Sequence, residues 1–147
     1  MKLIITVLFT IALLGCETVP KDPQQLQIDS KLIGIWEGEY LEKDGAIKKW
    51  TQTRKENGTY LIEFQFVEPD GTSNHFSENG QWWIQDGLFY EVAPSWMKRP
   101  DSYQYRFKEN QCLEFLLVDS DESIEDIGKY TFVECLSDTV SLTKFIH

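Results

Sequence analysis

"TYLIEFQF", residues 59–66, sets Tyr60, Ile62, Phe64 and Phe66 on one side of the chain and Thr59, Glu63 and Gln65 on the other. A repeat of two is the pleat of a β-strand, in which successive side chains point to opposite faces. One greasy face and one wet face make it a half-buried strand of an antiparallel sheet. "SYQYRFK", residues 102–108, has the same build, with Tyr103, Tyr105 and Phe107 against Ser102, Gln104 and Arg106.

Working outward from these two, the same period predicts strands near 32–41, 46–55, 59–67, 74–79, 81–86, 88–92, 102–108, 112–118, 129–136 and 139–145. Lys43-Asp44-Gly45, Glu56-Asn57-Gly58, Pro69-Asp70-Gly71, Asn79-Gly80 and Asp86-Gly87 mark turns, because Gly supplies a positive φ and Asn or Asp tolerates one. Beyond residue 30 there is no long helical period, and no fixed repeat suggests a propeller. So many strands must close on themselves or pack on a second sheet, since open edges invite pairing with other chains. The expected fold class is all-β, an antiparallel up-and-down β-barrel of about 8–10 strands.

The first residues read differently. After Lys2 an apolar run from Leu3 to Leu14, about 12 residues, leads into Gly15 and Cys16. That is short of the roughly 20 residues a membrane-spanning helix needs and suits a signal-peptide core. "LLGC", residues 13–16, resembles the bacterial lipobox, in which the cysteine sulfur is alkylated with diacylglycerol and the chain is cut before it. The resemblance implies a lipoprotein signal peptide over 1–15 and lipid attachment at Cys16, with acyl chains such as palmitate holding the protein in a membrane of the bacterial cell envelope. Glu17 in place of an aspartate implies, by the sorting rule of diderm bacteria, the outer membrane and its periplasmic side. Residues 16–30 are polar, with Pro20 and Pro23, and read as a lipidated tether. Asp29 or Ser30 can cap a short helical turn there. The barrel domain is expected over 31–147.

Fourteen basic against 24 acidic residues leave a formal charge of −10. That balance speaks against nucleic acid as a partner, whose phosphates draw clustered cations, and against an electrostatic hold on anionic lipid. With Cys16 given to lipid, Cys112 and Cys135 are an even pair in an oxidising compartment. Aromatic parity in "CLEFLLVD" and "KYTFVECL" turns Leu113, Phe115, Tyr130 and Phe132 inward and both cysteines outward, in a register where they can face each other. A disulfide between Cys112 and Cys135 fits; two separate thiols stay open, because directly opposed cysteines can be strained.

Catalytic signatures are missing. The two histidines are His75 and His147, and there is no nucleophile elbow, zinc helix or phosphate loop. Asp119, Asp121, Glu122, Glu125 and Asp126 invite a calcium reading. However, Ile124 and Tyr130 stand where an EF-hand loop needs glycine and glutamate, so a solvated hairpin loop is expected. Glu37, Glu39 and Glu63 lie on the wet parity of their strands and make poor glycosidase carboxylates. No buried charge, catalytic residue, metal or cofactor is expected, and the protein reads as non-enzymatic.

Aromatic residues make up 14% of the chain, enough to demand a use. They can fill a small barrel, line a pocket for an apolar ligand, or, as Trp96 with Met97 between Pro94 and Pro100, form an exposed patch.

Gly34-Ile35-Trp36, opening the first strand, resembles the Gly-x-Trp signature of lipocalins. "KLIGIWEGEY", "ENGTYLIEFQF", "SENGQWWIQDGLFY" and "KYTFVECLSDTVSL" are similar in texture to small bacterial lipocalin-like domains. The resemblance runs from Leu32 to Ile146 and lacks the Thr-Asp-Tyr signature of the central lipocalins. It implies a barrel with Trp36 at its closed end, a basic side chain of the last strand, here Lys144, packed over that ring, and carriage of a small hydrophobic ligand. Gly34, Trp36 and Gly38 also resemble the opening of nitrobindin-type haem barrels, which would need an interior histidine that neither His75 nor His147 supplies. The expected ligand wall is Trp36, Tyr40, Trp50, Tyr60, Phe64, Tyr103, Tyr105 and Phe107. The alternative is an envelope interaction module with a filled barrel and no ligand, whose protein partner the sequence does not name.

Overall fold

Each strand pairs antiparallel with the next along the chain and the last returns to the first, so the sheet closes into an up-and-down barrel of eight strands. The computed structural model describes residues 26–121 and 127–138. In chain order the strands are β1 (Gly34–Leu41), β2 (Ile47–Arg54), β3 (Thr59–Val67), β4 (Ser73–Gln85), β5 (Leu88–Val92), β6 (Asp101–Lys108), β7 (Cys112–Asp119) and β8 (Thr131–Leu136). Closure is made by β1 and β8, through the register Trp36↔Leu136, Glu37↔Cys135 and Gly38↔Glu134. The residues expected to form a signal peptide, Cys16, most of the expected tether, the acidic residues Glu122, Glu125 and Asp126, the strand expected over 139–145, Lys144 and His147 all lie outside the described residues.

Turn chemistry works where the sequence offered it, with one exception. Asp86 and Gly87, at φ 51° and 78°, make the two-residue link between β4 and β5, the conformation a tight hairpin demands of both central residues. Asn79-Gly80 does not turn. The strands expected at 74–79 and 81–86 are one continuous β4 that runs through both residues. Gly80 serves a different need there. A Cβ on it would collide with the Val92 carbonyl oxygen and come within 2.8 Å of the Tyr60 ring. Glycine therefore lets a backbone and an aromatic side chain approach the strand, a use of the residue that local sequence does not separate from a turn.

The two ends of the barrel differ. At one end Leu32, Trp36, Trp82, Phe89, Leu113, Phe115 and Leu117 are all but sealed from solvent, each burial contributing roughly 1.5–3 kcal/mol. A short 3₁₀ turn, η1 (Ser30–Leu32), caps this end, and the Asp29 carboxylate accepts the Lys31 N–H at 3.0 Å to start it. The Trp36 indole donates to the Leu32 carbonyl at 2.9 Å, which locks the ring under the turn. The preceding chain crosses the same end, where the Ile84 N–H donates to the Gln27 carbonyl at 2.7 Å. The other end carries the β1–β2, β3–β4 and β5–β6 connections, and among the described residues nothing seals it.

Cys112 and Cys135 are register partners across β7 and β8, and their sulfurs are bonded. Leu113 and Glu134, the next pair, point into the barrel and are fully buried.

Candidate ligand-binding site

Above the sealed floor the interior is a cavity of about 1090 Å³ that reaches the open end. Five of the eight residues expected to form its wall do so: Tyr40, Trp50, Tyr60, Phe64 and Tyr103. Phe66, Phe76, Phe89, Tyr130 and Phe132 complete the aromatic lining. Many of these rings brace one another, as Phe64 on Phe76 at 4.8 Å and Tyr40 on Tyr130 at 4.8 Å. Such pairs hold ring positions beyond what area burial alone would do.

Trp36, Tyr105 and Phe107 do not line the cavity, a correction to the expected wall. Trp36 lies below the floor, as its bond to Leu32 requires. β6 runs from the open end to the sealed end, so its later inward residues pass below the floor as well. Tyr105 there donates from its hydroxyl to Asp29 at 3.5 Å, and Phe107 is 49% exposed with Lys31 over its ring at 5.8 Å. Period two assigned their face correctly but carried no information about height along the barrel.

A second correction concerns charge. The sequence reading expected none to be buried, yet a polar network forms the cavity floor. Arg54 on β2 and Glu134 on β8 approach to 2.5 Å, a close ion pair rather than an aligned hydrogen bond. Arg54 also donates to the Gln52 side-chain carbonyl at 2.6 Å, and Gln52 in turn donates to Glu91 at 3.0 Å. The Trp50 indole donates to the second Glu134 oxygen at 3.3 Å. Nε and Nη1 of Arg54 find no acceptor among the described residues. Instead the guanidinium lies 5.7, 4.8 and 5.4 Å from the Trp36, Phe89 and Phe115 rings, whose faces attract a cation. Arg54, a basic group of the second strand, packs over Trp36, while Lys144, expected there, lies outside the described residues. Parity could have found it: with Trp50 inward, Gln52 and Arg54 share its face.

Higher in the cavity, Lys48 donates to the Tyr130 hydroxyl at 3.2 Å and stands 4.0 Å from Glu42. Tyr60 donates to Glu78 at 3.2 Å. Glu91 faces the cavity and is half-buried in its wall. Burial pushes its pKa up to about 7, against the downward pull of Arg54 and Gln52 and with a further push from Glu134 and Asp101. Burial likewise raises the Glu78 carboxyl and carries the Tyr60, Tyr103 and Tyr130 hydroxyls well above the usual phenol range.

At the rim Trp96 is 74% exposed, and it and Met97 border the cavity mouth. Asp119 and Asp121, candidates for calcium, are engaged by the β5–β6 connection: Arg99 meets Asp119 at 2.6 Å, and Asp121 accepts the Lys98 and Arg99 backbone N–H groups at 2.8 and 3.2 Å. Among the described residues no group of three or more His, Cys, Asp or Glu is placed to hold a metal. His75 is exposed on β4, and no described histidine lines the cavity. Compared with known proteins, the chain matches no family model, no curated protein and no solved structure.

Proposed function

We propose that this protein is a lipocalin-like envelope lipoprotein whose barrel holds a small ligand with an apolar body, without catalysing a reaction. The observation that carries the reading is the cavity: about 1090 Å³ is the size of a small-molecule site, and its wall is mostly aromatic. A barrel of eight strands can be filled by its own side chains, so open volume on this scale needs a use. Cys16, through its lipid, would hold the barrel at the outer membrane, facing the periplasm. Titrating the full chain with a panel of amphiphiles while following tryptophan emission tests the reading, because Trp50 lines the cavity. Saturable quenching is expected, and a flat response across the panel would sink it. Membrane partition of a Cys16→Ser variant tests the anchor, and an unchanged membrane fraction would overturn it.

The exposure of Trp96 favours a second reading, an interaction surface for another envelope protein at the barrel mouth. Recovery of partners by a Trp96→Ala variant tests it, and unchanged recovery counts against that loop.

A further inference from the structure

The floor network leaves three carboxylates grouped on one side of the cavity. Glu78 of β4, Glu91 of β5 and Asp101 of β6 stand on consecutive strands, and Glu91 and Asp101 are register partners. All three act on one group, the Tyr60 hydroxyl, whose ionisation they oppose together with burial. Like charges directly opposed in a ladder cost stability, and they cost more where water is excluded. Asp101 is partly relieved by the Asp121 N–H at 2.8 Å and the Tyr103 hydroxyl at 3.4 Å. Glu91 is less well served. One oxygen accepts from Gln52, and the other accepts nothing from the described residues, while the half-buried side chain lines the cavity.

The cations nearby are engaged. Arg54 is taken by Glu134 and by the rings around it. Lys48 has Tyr130 and Glu42, with the Trp50, Phe64 and Tyr130 rings within 5.9 Å. At the mouth, Glu42, Asp44, Glu68 and Asp121 stand with Lys43 on the cavity border. A ligand with an anionic head would therefore enter a field of the wrong sign, whereas a cation would relieve a repulsion already built into the wall. The aromatic faces beside the three carboxylates act in the same direction.

We propose that the cavity binds an organic cation, an amine or quaternary ammonium seated against Glu78, Glu91 and Asp101 with its apolar body along the aromatic wall. The assignment rests on the ligand-binding reading above and names the chemical class that reading left open.

The full chain, in nanodiscs of zwitterionic lipid, is titrated with decyltrimethylammonium and with decanoate, which carry similar alkyl tails and opposite heads, with tryptophan emission as readout. The ammonium is expected to bind saturably and at least about tenfold more tightly than decanoate. A Glu91→Gln/Asp101→Asn variant is expected to lose most of that preference while its circular dichroism stays unchanged. Should that pair fail to fold, Glu78→Gln alone is expected to reduce the preference severalfold. Decanoate binding as tightly as the ammonium would overturn the cation assignment and leave the ligand-binding reading standing. Binding of neither probe overturns both. A preference that survives in every folded variant would trace to the overall negative charge of the protein, and the site assignment would fall.

Discussion

Arg54 and Glu134 meet at 2.5 Å across the floor of the barrel, one on the second strand and one on the last, and neither side chain exposes more than 2% of its surface. The pair links strands that are not neighbours in the sheet, and it separates the packed end from the cavity. Removing one partner strands a charge where water cannot reach it, which costs about 3–5 kcal/mol. Arg54→Met should therefore lower the free energy of unfolding in urea by about that amount. Arg54→Met/Glu134→Met should recover much of the loss, because the desolvation cost of the second charge disappears with it. A double variant no more stable than the single one would show that Glu134 has adequate partners in Trp50 and its surroundings.

Gly80 lies in the middle of β4, against the Val92 carbonyl and the Tyr60 ring. Gly38, on β1, lies under Trp50, and a Cβ there would collide with the indole. Gly38→Ala and Gly80→Ala should each destabilise by about 1–3 kcal/mol through overpacking. Gly80→Ala should cost more, since a backbone oxygen cannot rotate away as a side chain can. Thermal unfolding of the two variants checks both the size and the order.

Cys112 and Cys135 close a loop with a sequence separation of 23. Removing a cross-link of that span should cost roughly 3 kcal/mol, by the loss of a constraint on the unfolded chain. Cys112→Ala/Cys135→Ala should fold at a correspondingly lower urea midpoint, and a reducing agent should shift the parent protein to the same midpoint without affecting the variant.

Glu91 ties stability to pH. Its folded pKa of about 7 lies above the value of about 4.3 for an unfolded glutamate. The folded chain therefore holds the proton more tightly, and the associated stability is complete below about pH 4 and lost as pH rises through about 7. Glu91→Gln should remove this dependence. Between pH 4 and pH 8 the parent should lose up to roughly 2–3 kcal/mol relative to the variant. Parallel curves over that range would mean that the carboxylate is solvated through the cavity.

Much of the fold was legible because it is written locally. Tyr60, Ile62 and Phe64 gave a face, Asp86-Gly87 gave a hairpin, and the parity of Phe115 and Phe132 put Cys112 and Cys135 on one outer face, where a register that opposes them was open and is the one formed. Asn79-Gly80 misled because a glycine that makes room for Tyr60 and one that makes a turn look alike in sequence. The site was half legible. Tyr40, Trp50, Tyr60, Phe64 and Tyr103 were placed on its wall by period two, whereas Trp36, Tyr105 and Phe107 share that face but lie at or below the floor.

By itself the sequence determined a run of half-buried antiparallel strands and the inward or outward sense of their side chains, since both follow from a two-residue repeat and the turns that punctuate it. Only the tertiary structure decided that buried Gln52, Arg54 and Glu134 would meet half-buried Glu91 in one polar network, and that a cavity would remain above them. The physical reason is that a polar residue on an inward parity is tolerated only if a partner from another strand arrives opposite it. Whether it does depends on barrel closure, strand stagger and height, none of which a single strand encodes.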